Sequence, residues 1–172
     1  MLKKEQRTVS TTNLFIGCDP GLAGGISIIK EDGEVISYEM PCDEKDTWQL
    51  VQSYSHDPSD GTVPFAVIEQ VGGYMPGSKG NIGSAMFTFG MATGWVRMAL
   101  TAAKIPWSEV HPRTWQKALG VQPRKKEESK AQFKKRLREI AGRLFPSANV
   151  MAKTADSILL SEYCRRLRTG TL

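Results

Sequence analysis

The sequence has 172 residues, of which 40% are hydrophobic and 24% are charged, and its net charge is +5. A chain of this length and composition can bury a core of its own, which excludes a collagen-like, disordered or disulfide-stapled mini-protein. Its longest apolar run is far shorter than the ~20 residues of a membrane span, so we expect no membrane association. The three cysteines form no CxxC pair, which predicts free thiols in a cytoplasmic compartment.

The amino-terminal part of the chain is predicted to form an arm followed by three strands and a helix. Residues 1–13 are polar and basic and lack the apolar stretch of a signal peptide, so we expect a flexible arm. Asp32-Gly33 lies between two apolar runs and predicts a tight hairpin. The predicted strands here are residues 14–19, 25–30 and 34–40, and the predicted helix is residues 43–54.

The rest of the chain alternates strands with helices. Residues 64–70 (PFAVIEQ) form an almost continuous apolar run, which is typical of a central strand buried on both faces. A glycine-rich loop follows at 72–83. Further elements are predicted at 84–104 (helix), 107–110 (strand), 112–119 (helix), 127–145 (helix) and 153–167 (helix). With no long linker or repeat, residues 14–172 are predicted to be one α/β domain.

The helix at 84–104 is apolar on nearly every side. Such a helix is buried either in the core or against another chain. Its expected inward stripe consists of Phe87, Met91, Trp95 and Met98 or Ala99. Because one sheet face cannot cover so much apolar surface, we expect a homodimer formed through this helix.

Three acidic residues stand where chemistry is expected. Asp19 ends the first strand before a Pro-Gly turn, Glu69 ends the apolar fourth strand, and Asp156 begins the last helix within an apolar stretch. A carboxylate in such surroundings is costly to bury unless it is paired or binds a metal. Carboxylate oxygens are hard ligands suited to Mg²⁺ or Mn²⁺, and two such ions can activate water against a phosphodiester. Taken alone, each acid has a simpler interpretation. Asp19 could be a turn residue, Glu69 a solvent-exposed residue at a strand end, and Asp156 a negative charge at a helix N-terminus.

Five segments, taken in order, resemble the RuvC-type Holliday-junction resolvases, and especially their phage-type members. The segments are IGCDPGLAGGISII, AVIEQVGGYMPGSKGNIGSAMFTFG, VHPRTWQKALG, KEESKAQFKKRLREIAGRLFP and KTADSILLSEYCRR. The resemblance implies an RNase H-like fold, a five-stranded mixed sheet flanked by helices. It also implies a homodimer that cuts four-way DNA junctions with two Mg²⁺ (or Mn²⁺) ions in each active site, in a bacterial or phage-infected cell. By motif, Asp19 would bridge both metals, Glu69 would hold one of them and Asp156 the other.

The sequence departs from this family at one position. The family usually has a further Asp or His three or four residues before the last aspartate, where this chain has Lys153 and Ala152. Three explanations stay open: a centre with only three acids, a ligand from elsewhere in the chain, or an inactivating substitution. Lys153 is either a contact to the scissile phosphate or a surface lysine.

The DNA contacts are expected in the glycine-rich loop and in the basic part of the chain. Residues 1–110 contain 8 Lys/Arg and 13 Asp/Glu, a net charge of −5, whereas residues 111–172 contain 15 and 5, a net charge of +10. Such asymmetry indicates a polyanionic partner, the alternative being a solvated basic helix. Tyr74 is the expected wedge at the crossover, with Phe87 or Phe89 as second choices. The expected phosphate contacts are Lys79, Arg113, Lys117, Lys125, Lys126, Lys130, Lys134, Arg138 and Lys153.

Two alternatives to a junction nuclease remain at this stage. DPGLAGG resembles the phosphate loop of sugar kinases and actin-like ATPases, although 172 residues cannot supply their two lobes. A non-catalytic protein that binds branched DNA is the other alternative, because the usual fourth ligand is missing. Metal-dependent cleavage of a four-way junction separates a nuclease from a binding protein.

Overall fold

The computed structural model describes residues 12–56, 61–70 and 82–172. A five-stranded sheet forms its centre, with the spatial order β3-β2-β1-β4-β5. β1 pairs antiparallel with β2 and parallel with β4; β2–β3 is antiparallel and β4–β5 parallel. The strands are β1 (Thr12–Asp19), β2 (Gly25–Lys30), β3 (Val35–Glu39), β4 (Thr62–Glu69) and β5 (Trp107–Val110). The helices are α1 (Glu44–Gln52), α2 (Ile82–Ala102), α3 (Pro112–Ala118), α4 (Lys130–Leu144) and α5 (Ala155–Thr169).

Helices cover both faces of the sheet, and alternate residues of each central strand supply the two cores. Leu14, Ile16 and Cys18 of β1 pack with α1 and α2 on one face. Phe15 of β1 and Val67 of β4 pack with α3, α4 and α5 on the other. This period-two division is what a strand buried on both sides requires. The predicted α/β class, a five-stranded mixed sheet flanked by helices, is confirmed.

Local sequence signals define where the helices begin and end. His111 caps α3 by accepting the backbone N–H of Arg113, with Pro112 at the first position of the helix. Ser129 and Gln132 form a reciprocal capping box at the start of α4. Gly120 (φ +71°) and Gly170 (φ +70°) follow the ends of α3 and α5 in the left-handed conformation that favours glycine.

Two sequence-based details of the fold were wrong. β1 begins at Thr12, so residues 12 and 13 belong to the sheet and not to the predicted arm. The predicted stripe of α2 is also wrong at two of its members, because Phe87 is 68% exposed and Met98 is 65% exposed, whereas Ala99 is buried and Trp95 packs against the core. The buried positions of α2 include the smaller residues Ala92 and Val96. A helix that is apolar on all sides carries no periodicity that identifies its buried face.

The three cysteines all lie within the described residues and are free thiols; Cys18 and Cys164 are buried and Cys42 is exposed. Among residues 12–56, 61–70 and 82–172, no helix has both the length and the apolar character needed to cross a bilayer.

Candidate active site

Asp19 and Glu69 end two neighbouring parallel strands. The register pairs Cys18 of β1 with Ile68 of β4, so the two acids are the next residues along each strand. Asp19 lies on the same face of the sheet as Gly17, and Glu69 lies on the same face as Val67, because side chains alternate along a strand. That face is the one covered by α3, α4 and α5. Both carboxylates therefore lie at the carboxyl edge of the sheet, beneath the helices of the basic half of the chain.

Helix α5 rests on β1 and β2 through very small residues. A Cβ atom built on Gly17 would lie 2.2 Å from the backbone nitrogen of Ser161 and 2.3 Å from the carbonyl oxygen of Ser157. The hydroxyl of Ser157 is 2.7 Å from the hydroxyl of Ser27 in β2, and Ser161 Oγ donates to the Ser27 carbonyl at 2.7 Å. This close packing fixes the first turn of α5 over the end of β1. It brings Asp156, in that first turn, to the two strand-end carboxylates.

The three acids influence one another electrostatically. Burial, reinforced by the negative charge of Asp156, raises the pKa of Asp19 to about 6. Burial and the charges of Asp19 and Asp156 raise the pKa of Glu69 to about 7, against the opposing effects of the Trp115 hydrogen bond and Lys134. Such elevated pKa values mark carboxylates that are crowded together away from water. A bound cation would remove both the repulsion and the cost of burial.

Lys134 of α4 is the cation present among these acids. Its Nζ lies 3.0 Å from Asp156 Oδ2. Burial alone would lower the pKa of Lys134, but the attraction of Asp156, Asp19 and Glu69 outweighs it and raises the pKa. The second oxygen of the same carboxylate, Asp156 Oδ1, is buried and has no hydrogen-bond partner among the residues that the structure describes. Sequence analysis predicted Lys134 as a phosphate contact and did not anticipate its ion pair with Asp156.

The donor set suits a hard divalent cation. The three carboxylates act on one another electrostatically, and one of them has a buried oxygen that accepts no hydrogen bond from the described residues. Oxygen donors of this kind are the preferred ligands of Mg²⁺ and Mn²⁺. Within the described residues, no three His, Cys, Asp or Glu side chains already form a closed metal site. The oxygen donors present fit Mg²⁺ or Mn²⁺ in their chemistry, and a bound cation would have to draw the three acids closer together.

Neighbouring residues hold the acids in place. The indole nitrogen of the fully buried Trp115 donates to Glu69 Oε1 at 3.0 Å. The backbone N–H of Gly21 donates to Asp19 Oδ1 at 3.2 Å. A Cβ on Gly24 would lie 2.6 Å from Asp19 Cγ. Any other side chain would clash with this carboxyl group, so the turn requires glycine here. The hydrogen bond to Glu69 gives Trp115 a place in the site that its sequence context does not reveal.

The two positions of the missing fourth ligand contribute no carboxylate or imidazole to the cluster. Lys153 Nζ forms an ion pair with Glu39 Oε2 at 2.6 Å on the surface, where both side chains are about half exposed. Ala152 is exposed and has no side-chain donor. Of the two readings of Lys153, this contact favours a surface lysine.

The predicted phosphate contacts are distributed around the site. A groove between α3 and α4, which we call the basic groove, is lined by Arg113, Arg124, Lys130 and Lys134, together with Gln116, Pro123 and Phe133. Arg113 and Lys117 also line an adjoining pocket. Lys125 and Lys126 are exposed in the loop before α4.

Two groups of predicted DNA contacts differ from this pattern. Arg138 Nε donates to the Val150 carbonyl at 2.9 Å and so ties α4 to the segment that precedes α5. Tyr74 and Lys79 lie outside the described residues. Of the second choices for the wedge, Phe87 is strongly exposed and Phe89 is half-buried.

Comparison with known proteins identifies the fold. No protein-family model and no curated protein matches the sequence. Among solved structures, the chain is similar to the Thermus thermophilus RuvC structure, with a TM-score of 0.57 and 16% identity over 94% of this chain and 98% of that one. It is similar to the same extent to T. thermophilus RuvC in complex with Holliday junction substrate, with a TM-score of 0.58 and 16% identity over the same shares of both chains. The chain therefore has the fold of RuvC, an RNase H-like five-stranded mixed sheet flanked by helices.

Proposed function

We propose that this protein is a structure-selective endonuclease that resolves four-way DNA junctions by hydrolysing phosphodiester bonds with two divalent cations, Mg²⁺ or Mn²⁺. The observation that carries the proposal is the cluster of Asp19, Glu69 and Asp156 at the carboxyl edge of the sheet, where two of the three carboxylates have strongly raised pKa values. The fold shared with RuvC, one structure of which contains a Holliday junction, supports branched DNA as the substrate.

We assign different roles in such a reaction to the residues of the site. Asp19, whose charge acts on Glu69 and whose own pKa responds to Asp156, would ligate both cations. Glu69 and Asp156 would each hold one. When bound, the cations would activate a water molecule and stabilise the leaving oxygen. Trp115 and the Gly21 N–H fix the orientation of Glu69 and Asp19, and the basic groove would guide the phosphate backbone to them.

The primary test is cleavage of a four-way junction with each strand labelled in turn. We expect paired cuts near the crossover in Mg²⁺ or Mn²⁺, none in EDTA, and far slower cutting of a linear duplex of the same sequence. Tight junction binding without any cutting in either metal would identify a branched-DNA-binding protein instead, and specific binding of ATP would favour the kinase-like alternative.

A first prediction concerns the stability of the protein in EDTA. The folded pKa values of Asp19 and Glu69 lie above their ordinary values of 3.8 and 4.5, so the folded state binds more protons than the unfolded state between pH about 4 and about 7. Stability contributed by these groups therefore falls as the pH rises through that window. We expect the double variant Asp19→Asn/Glu69→Gln to gain stability relative to the unsubstituted protein, by on the order of a few kcal/mol, between pH about 4.5 and about 7.5.

Urea denaturation at a series of pH values measures this difference. Adding Mg²⁺ at the higher pH is expected to shrink the difference, because a cation that binds only the folded, unsubstituted site stabilises it. A stability difference that does not change with pH would show that the two carboxylates are not crowded in the folded protein.

A second prediction concerns the exposed lysines near the basic groove. Replacing Lys125, Lys126 and Lys130 with glutamine should weaken binding to duplex and junction about equally, because phosphates are present on any DNA. Each lost contact should remove roughly 0.9 from the slope of log K against log salt. Fluorescence anisotropy at several salt concentrations measures both effects. Lys30→Gln, at the opposite end of β2 from Gly25, the partner of Asp19, is the control and should change neither.

Tyr74→Ala is the contrasting variant. A stacked aromatic ring needs a base freed at the crossover, so this change should leave duplex affinity and the salt slope nearly unaltered while it reduces the preference for the junction. If the lysine variant lost only junction binding, or the Tyr74 variant lost both kinds of binding equally, the two roles would be assigned incorrectly.

A third prediction concerns a homodimer formed through α2. Phe87 and Met98 are 68% and 65% exposed, and a Cβ on Gly90 or Gly94 between them would contact none of the described residues within 4 Å. With the half-buried Met91 between them, these positions form an apolar stripe at helical spacing that is most exposed at its two ends. A second copy that packs on the stripe would place two active sites on one two-fold assembly, as the cutting of two symmetric strands requires.

Charge on this stripe should separate the protomers. We expect Phe87→Glu/Met98→Glu to sediment as a monomer at micromolar concentration while its circular dichroism stays unchanged. Leu167→Glu, on a different helix and 42% exposed, introduces one glutamate at an exposed apolar position elsewhere and should remain a dimer. A monomeric unsubstituted protein would contradict the assembly.

A further inference from the structure

Lys134 places a fixed positive charge inside the carboxylate cluster. Its ammonium group is 3.0 Å from Asp156 Oδ2, while Oδ1 of the same carboxylate is buried and is not hydrogen-bonded to any described residue. The charge of Lys134 also opposes the rise in pKa at both Asp19 and Glu69. The lysine therefore acts on all three acids, and it contacts the one that has a free coordination position.

The charges of the cluster balance with a single divalent cation. Three ionised carboxylates and one ammonium group sum to −2, which one Mg²⁺ or Mn²⁺ neutralises, whereas two would leave an excess of positive charge. No further acid is supplied by the segment before α5, since Ala152 has no donor and Lys153 pairs with Glu39. Like charges at close range in a partly buried site repel strongly, so a second cation and the Lys134 ammonium group compete for Asp156.

We propose that, in the DNA-free protein, Lys134 occupies the position that a second divalent cation takes beside Asp156, so that the free chain binds one cation and the second enters only with DNA. This inference rests on the proposed function. A DNA phosphate would offer the ammonium group another anion and would add oxygen ligands for the incoming cation. The side chain of Lys134 is 45% exposed and lines the basic groove with Arg113 and Arg124, so it can turn from Asp156 to a phosphate without movement of the helix.

Counting bound Mn²⁺ tests the inference without any reference to activity. Calorimetric titration and electron paramagnetic resonance of the DNA-free protein at pH about 8 should give about one Mn²⁺ per chain, and about two for Lys134→Met. Lys134→Gln should behave like Lys134→Met. Lys130→Met is the matched control, because Lys130 lies on the same helix and groove, and it should stay at about one. Adding a four-way junction with non-hydrolysable linkages at the crossover should raise the count of the unsubstituted protein to about two.

The outcomes that overturn the inference differ from those that overturn the proposed function. Two bound Mn²⁺ or none in the DNA-free protein, or an unchanged count in both Lys134 variants, would show that Lys134 does not compete with a cation. If the same preparation cleaves junctions, the nuclease function stands regardless. If it does not cleave them in Mg²⁺ or Mn²⁺, the proposed function fails, whatever the Mn²⁺ count.

Discussion

Asp19→Asn is expected to reduce junction cleavage about a thousandfold or more while junction binding survives or tightens. Asp19 is only 7% exposed and is the acid whose charge acts on Glu69 and whose own pKa responds to Asp156. An amide in its place keeps the shape and still accepts the Gly21 N–H, but it removes the negative charge that a bridging cation requires. Removing that charge also reduces the repulsion of the DNA phosphates, which is why binding should not weaken.

Cleavage of a labelled junction in Mg²⁺, with binding measured in parallel by gel mobility in EDTA, checks this result. Asp32→Asn is the matched control. Asp32 is an exposed aspartate whose Oδ1 also accepts a nearby backbone N–H, that of Glu34 at 3.0 Å, but it lies in the hairpin between β2 and β3. It should retain full activity. Cleavage by Asp19→Asn at the unsubstituted rate would mean that Asp19 is not a metal ligand.

Gly17→Ala is expected to lower the free energy of unfolding by about 3 kcal/mol and to reduce cleavage strongly in the fraction that folds. The added methyl group would lie within 2.3 Å of backbone atoms of Ser157 and Ser161. Backbone atoms of a helix cannot yield separately, so α5 as a whole must move away from β1. Asp156 moves with it, and small displacements of a catalytic group have large effects on rate.

Gly142→Ala provides the matched control, because Gly142 lies in α4 and its added Cβ would contact nothing within 4 Å. There the same substitution should be neutral or stabilising by up to about 1 kcal/mol, since alanine favours the helix. Urea denaturation measures the free energy of unfolding of both variants. The cleavage rate per folded molecule measures the predicted loss of activity in Gly17→Ala. Equal stabilities for the two variants would show that α5 does not rest on β1 as closely as described.

The sequence by itself determined the order and type of the elements and the positions of the three acids. Strand alternation, the Asp32-Gly33 hairpin and the continuous apolar run of β4 are local signals, because each depends on the chemistry of neighbouring residues alone. The caps at His111 and Ser129 belong to the same class. The observed ends of the helices and strands differ from the predicted ends by a few residues. Terminal turns are the least well determined by local sequence.

Only the tertiary structure decided how these elements meet. The burial pattern of α2 depends on which of several apolar faces fits the sheet, so exposed Phe87 and Met98 have no signal in the sequence. The pair Ser157 and Ser161, four residues apart, is the one sequence hint of the close approach to Gly17. That Lys134 contacts Asp156, while Arg138 one turn later bonds to the Val150 carbonyl, follows from how α4 packs beside α5. A sequence shows that a lysine is on a basic helix, but which anion it meets is set by contacts between segments far apart in the chain.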